Sequence, residues 1–272
     1  FGAIKIKDFV QESVDTFSDY EQSLANTAAI ANATQTEQEQ LNEAAREAGK
    51  ATTKTAKESA DALGYMALAG WSVEDSTKAL MPVLKLSAAT GAAASNMDLA
   101  TCSDLVTDSM SALKLQVKDL PEYLDMVTKA QNSSNMNSQQ MMEAYIKAGG
   151  AARTLGVSAK DTGVALGILA NNGTKGAEGG TALNAMLTRI GSNKNALSMM
   201  GALGISIFDA QGKFVGLEEA LKRINAGVSK LSTEDQAKAL KEIAGTNYYS
   251  KMAYLLDGVK EGANGAKSAW DD

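Results

Sequence analysis

The 272-residue sequence predicts a mainly α fold, a multi-helix bundle with one small β-hairpin, preceded by N-terminal helices with coiled-coil-like seams. Three observations predict it. Two prolines, 5% aromatic residues and abundant Ala, Met, Leu, Lys and Glu favour helix over strand. A hydroxyl or amide residue followed three positions later by an acid or amide recurs along the chain, ahead of apolar helical patterns. One short stretch instead alternates apolar residues around a turn. The expected organisation is residues 1–69 as N-terminal helices with a candidate coiled-coil segment, then residues 70–272 as a compact helical module.

Within 1–69, Val10, Val14, Phe17, Leu24, Ala28 and Ala31 recur at alternating spacings of four and three, with Glu21 filling the missing step. That spacing is a coiled-coil seam and marks a self-association surface. A helix packed on its own domain is the equal alternative over so few heptads. A second seam, Leu41, Ala45, Ala48, Thr52, Thr55, Ala62, Met66 and Ala69 with Ser59 between, is built of small residues. Gly49 and a cap at Thr55 predict that it is two helices rather than one.

Helix starts follow from capping chemistry, in which a side-chain oxygen accepts from a free backbone N–H of the first turn. The pattern predicts starts at Thr36–Glu39, Thr55–Glu58, Ser72–Asp75, Ser95–Asp98, Ser158–Asp161 and Ser232–Asp235. Asn137–Gln140 is a looser version, and Pro121 suits a first turn. Gly49, Gly70, Gly91, Gly156, Gly173 and Gly245 serve as stops or turns. "ISIFDAQGKFVG", Ile205–Gly216, predicts the hairpin around Asp-Ala-Gln-Gly. The segments Gly70–Leu80, Gly156–Leu166 and Leu231–Leu240 share Ser, Asp and Ala-Leu positions, which common capping logic explains without duplication.

Composition excludes several chemistries. With no histidine, Ser-His-Asp and Cys-His nucleophile systems are absent, as is the commonest zinc ligand. The single cysteine, Cys102, fits a small apolar helix position. Net charge is −6, and residues 1–69 hold nearly all the imbalance, with 6 basic and 11 acidic side chains. No basic stripe appears, so specific nucleic-acid binding is not expected. The longest apolar-leaning uncharged run, Asn195–Phe208, is too short to span a bilayer. The opening "FGAIKIKDF" lacks an initiator Met, as expected of a piece of a longer chain.

"NNGTKGAEGGT", Asn171–Thr181, has the glycines of a phosphate cradle but not the context. A P-loop follows a buried strand and places Lys after Gly. Here a helical pattern precedes, Lys175 lies between Thr174 and Gly176, and Glu178 stands five residues after Gly173. The segment predicts a turn, with Gly173, Gly176, Gly179 and Gly180 as a hinge. Glu–Ser pairs at Glu12–Ser13 and Glu58–Ser59 suggest the acid of a lytic transglycosylase. A helix-start carboxylate, however, has its pKa lowered rather than raised. The 12 methionines read as core filler. No catalytic, metal or cofactor-binding residue is expected.

"AREAGKATTKTAKESADALGYMALAGWSVEDSTKAL" (Ala45–Leu80), "ANNGTKGAEGGTALNAMLTRI" (Ala170–Ile190) and "LGISIFDAQGKFVGLEEAL" (Leu203–Leu221) resemble the core region of phage tail tape measure proteins. "DYEQSLANTAAIANAT" (Asp19–Thr34) is similar to that family's first core helix, and the likeness runs from about Phe17 to Tyr254. "ALAGWS" and "GGTAL" are its most specific marks. The resemblance implies a non-enzymatic virion protein that fills the tail-tube lumen, sets tail length during assembly and leaves ahead of the DNA at ejection. It also implies partners: itself as a trimer, tail tube and distal tail or baseplate proteins, tail assembly chaperones, and the host envelope on infection. A cell-wall hydrolase using Glu58 and a membrane-active module using Asn195–Phe208 are the alternatives. Frequent caps from Gly70 onward oppose a continuous ruler helix, so a compact module is expected.

Overall fold

The structure, a computed structural model, describes the backbone of residues 2–92 and 97–260 and the side chains of 11–89 and 97–260. The chain divides into two compact units, Phe1–Asp108 with Gln116–Leu124, and Ser109–Leu115 with Asp125–Asp272. Thirteen α-helices and one 3-10 turn are present among the described residues, and no strand is.

The first unit starts with α1 (Gly2–Ile30), which packs on α2 (Gln35–Ala51) and α3 (Ala56–Leu68). Helix α1 stops where Asn32 adopts a left-handed φ of 49° and Ala33 N donates to Ala28 O at 2.9 Å. The next cap is therefore Thr34, not Thr36. Thr34 and Glu37 form the reciprocal box, with Thr34 N donating to Glu37 Oε2 at 2.8 Å. Both Thr-Glu pairs have the right spacing, and the end of α1 decides between them. The expected break between α2 and α3 is present, with a full capping box at Thr55–Glu58.

Helix α4 (Val73–Ala92) packs on α2 and α3, and its start is capped by Ser72, which accepts from Asp75 N at 3.1 Å. Pro82 lies inside α4 without ending it. Proline removes one helical hydrogen bond, and the buried Leu80, Val83, Leu84 and Leu86 hold the turn around it. Helix α5 (Leu99–Ala112) is capped by Asp98, whose Oδ1 accepts from Thr101 N at 2.7 Å; Ser95 lies outside the described residues. The core of this unit includes Leu41, Leu63, Met66, Leu84, Cys102 and Val106. Each large aliphatic side chain among them contributes roughly 1.5–3 kcal/mol by leaving water.

Helix α6 (Leu120–Ser133) carries Pro121 in its first turn. The second unit contains α7 (Ser138–Leu155), α8 (Ala159–Asn171), α9 (Gly176–Ser192), α10 (Lys194–Ala202), α11 (Leu217–Val228), α12 (Thr233–Ala244) and α13 (Tyr249–Gly258). Helices α7, α8 and α9 pack on one another, α12 bridges α9 and α10, and α13 packs on α8, α11 and α12. Asn137, Ser158 and Ser232 cap α7, α8 and α12 as expected. Met141, Met142, Met186 and Met200 are core residues.

The expected β-hairpin at 205–216 is not formed. Only an isolated antiparallel bridge joins Phe208 and Phe214, with Asp209 N donating to Lys213 O at 2.8 Å and Val215 N to Ile207 O at 3.1 Å. Other groups use the arms. Arg223 Nη1 donates to Ser206 O at 2.9 Å, and Asp209 Oδ1 accepts from Gln211 N and Lys213 N. The stretch is a closed turn held on α11, too short to propagate a ladder.

Candidate functional site

Helix α1 turns an unexpected face toward its own chain. An amphipathic helix ordinarily buries its larger apolar side chains. Here Tyr20, Ser23 and Thr27 point inward. Tyr20 Oη donates to Asn42 Oδ1, Ser23 Oγ to Asp61, and Thr27 Oγ1 to Ala60 O at 2.9 Å. A Cβ on Gly64 would sit 3.0 Å from Thr27 Oγ1, so α1 and α3 approach through small residues. Asp61 also accepts from Lys57 at 2.8 Å, which holds the Lys57 ammonium above the usual lysine range.

The larger apolar residues face out. Val14 is 56% exposed and Phe17 59%, and every residue from 11 to 19 is exposed. Further along the same stripe Leu24 and Ala31 are half-buried and Ala28 is buried; the side chain of Val10 lies outside the described residues. The Tyr20-Ser23-Thr27 face was legible as a second stripe at three- and four-residue spacing, but polar residues at such positions also suit solvent.

The four glycines of the 171–181 segment sit at the start of α9 and do different work. Gly173 and Gly176 have φ of +89° and +54° and turn the chain. Gly179 and Gly180 are buried in α9, where Gly180 lies against the carbonyl of Ala144 in α7. Asn184 Nδ2 reinforces that contact by donating to Lys147 O at 2.7 Å. Helix α8 precedes the segment, so no P-loop context exists.

Chemistry elsewhere is muted. Glu58 is held below the usual glutamate range, first by the backbone N–H of Thr55, although partial burial opposes this. That shift is opposite to what a general acid needs. Cys102 lies in α5, fully buried, and burial pushes its thiol up to about 12. Among the described residues no His, Cys, Asp or Glu group is suited to a metal ion, and no helix is long and apolar enough to cross a membrane. A cleft of about 440 Å³ is lined by Thr188, Arg189, Ser192, Asn193, Lys194 and Asn195. Arg189 is already engaged there, donating to Glu242 O at 2.8 Å and closing the C-terminus of α12. No sequence pattern linked residues so far apart.

The sequence family of phage-related minor tail proteins matches residues 42–245. The chain belongs to that family. It is 29% identical over 259 residues to the tape measure protein of Pneumococcus phage Dp-1, covering 95% of this chain and 22% of that protein. It is 27% identical over 226 residues to the "probable tape measure protein" of Escherichia phage P2, covering 82% of this chain and 27% of that one. The chain thus spans about a quarter of the length of these relatives. No solved structure matches it.

The resemblance drawn from Ala45–Leu80, Ala170–Ile190 and Leu203–Leu221 is therefore shown, and with it a structural role in the phage tail. Both pieces most specific to the family serve helix geometry. In "ALAGWS", Gly70 ends α3 with Trp71 N donating to Met66 O, and Ser72 starts α4. In "GGTAL", Gly179 and Gly180 admit the backbones of the 174 turn and of α7, while Ala182 and Leu183 are buried. The family match begins inside α2, leaving the exposed stripe of α1 outside it.

Proposed function

We propose that this chain is a part of a tape measure protein, built of short helices rather than of ruler, that lies in the lumen of the tail tube. In this reading the whole protein sets tail length during assembly and is released ahead of the genome, reaching the host envelope on infection. The proposed partners are further copies of the chain, with three as the expected number, together with tube, distal tail or baseplate proteins and assembly chaperones. Copies associate through the exposed part of the Val10–Ala31 stripe, at Val14 and Phe17.

One observation carries the distinction between module and ruler. A ruler needs length proportional to residue number, which a continuous helix supplies at about 1.5 Å per residue. Among the described residues the longest helix is the 29-residue α1, and within each unit the helices turn back on one another with caps between them. Tandem duplication of this segment in a phage tests the reading. If its 272 residues were ruler, tails would lengthen by about 400 Å. The module reading expects no such extension, and a proportional lengthening seen by electron microscopy would overturn it.

A further inference from the structure

We infer that α1 is a releasable strap: its docked part, from Tyr20 to Ile30, comes off α2 and α3 as one unit while those two helices and α4 stay folded. The inference does not depend on the place of the protein in the tail.

Burial separates the strap from the body beneath it. Among the described side chains of α1 only Tyr20, Ser23, Thr27 and Ala28 are buried. Its larger apolar residues are not: Val14, Phe17 and Ile30 are exposed, and Leu24 is half-buried. Helices α2, α3 and α4 pack on one another and carry buried Leu41, Leu63, Met66, Leu80, Val83 and Leu84. That core takes no large aliphatic side chain from α1.

The chemistry of the contact keeps the cost of opening low. Tyr20 Oη donates to Asn42 Oδ1, Ser23 Oγ to Asp61, and Thr27 Oγ1 to Ala60 O. Once α1 leaves, each of these groups can bond water instead, which returns most of the energy of the bond. An aliphatic side chain leaving a core has no such compensation. Asp61 keeps its partner Lys57 within α3 whether or not α1 is docked. The face left behind at Ala60 and Gly64 presents a methyl group and a bare backbone, so little apolar area meets water. Segments with few buried apolar contacts are those that open locally. The left-handed turn at Asn32 is the point from which the released helix would swing.

Gly64 allows the strap to close. Outside its own helix, the atom that a Cβ there would meet within 4 Å is Thr27 Oγ1, at 3.0 Å. A larger side chain at 64 therefore pushes on α1 in particular.

Hydrogen exchange of the full chain tests this, with circular dichroism confirming the helical content of each variant. In the parent, the amides of residues 22–28 are expected to share one opening equilibrium. They should exchange about tenfold or more faster than the amides of residues 60–66 in α3. Gly64→Leu is expected to strip protection from the α1 amides while those of α3 stay slower by about tenfold or more. Asp61→Ala, which adds no bulk and removes the acceptor of Ser23, should act in the same direction. Equal protection of α1 and α3 in the parent would make α1 part of the core and overturn the strap. So would rates in α1 that rise gradually toward one end, which is fraying, or an Asp61→Ala chain in which both helices lose protection together.

Discussion

Gly180 of α9 meets the main-chain carbonyl of Ala144 in α7 so closely that a Cβ has no room. Lys147 Cβ would lie 2.8 Å from that same Cβ, so the obstacle includes backbone and the root of a side chain. Gly180→Val therefore forces two buried helices apart and is expected to cost about 3 kcal/mol or more. Lys175→Ala, five residues earlier, removes a side chain that makes no cap hydrogen bond and should stay within about 0.5 kcal/mol of the parent. Denaturant unfolding of the two variants separates them. Equal stabilities would show that α7 and α9 do not pack this way.

Arg189 reaches from α9 to the carbonyls of Glu242 and Ile243, at 2.8 and 3.4 Å. The last carbonyls of a helix have no partner within it, and this guanidinium supplies one for α12. Arg189→Ala is expected to destabilise the chain by about 1–3 kcal/mol, as for a hydrogen bond to a charged group. Arg189→Lys should recover only part of that, because an ammonium lacks the planar fork. Hydrogen exchange should place the loss at the end of α12. Unchanged protection there in Arg189→Ala would refute the capping role.

The Thr55–Glu58 box predicts an acid-sensitive start to α3. Hydrogen bonding by Thr55 keeps the Glu58 carboxyl below its ordinary value of 4.5, so the folded state binds that proton less readily than the unfolded chain. The associated stability is complete above the ordinary glutamate value and is lost as pH falls through the lowered folded value. Glu58→Gln should therefore flatten part of the decline in melting temperature below pH 4.5. Thr55→Ala should cost about 1 kcal/mol at neutral pH. A Glu58→Gln curve superimposing on the parent throughout the acid range would contradict this.

Cys102 should be inert in the native protein. Its thiolate is disfavoured by burial, with the thiol raised to about 12, and Sγ lies 3.7 Å from Val83 O in the core. Since the thiolate is the reactive form, a disulfide reagent at pH 8 should label the chain only at the rate at which α5 opens. Adding denaturant should expose one thiol. Rapid stoichiometric labelling of the folded chain would place Cys102 at the surface instead.

Local chemistry made much of the helical order legible. Thr55, Ser72, Asn137, Ser158 and Ser232 each cap a helix through an atom no more than three residues away, and Gly70, Gly156 and Gly245 each turn within one helix end. Such contacts form in any chain with those neighbours. The break between α2 and α3 and the helix, rather than a strand, ahead of the glycine segment followed from the same short range. Choices requiring distant partners were not legible. Thr34 prevailed over Thr36 because α1 stops at Asn32. Phe208 and Phe214 remained a single bridge while Arg223, from α11, took the carbonyl of Ser206. The inward face of α1 was set by Asn42, Ala60 and Asp61, which lie 22 to 38 residues away from their partners. A sequence period shows that a helix has stripes; only the packing of the other helices decides which stripe is covered.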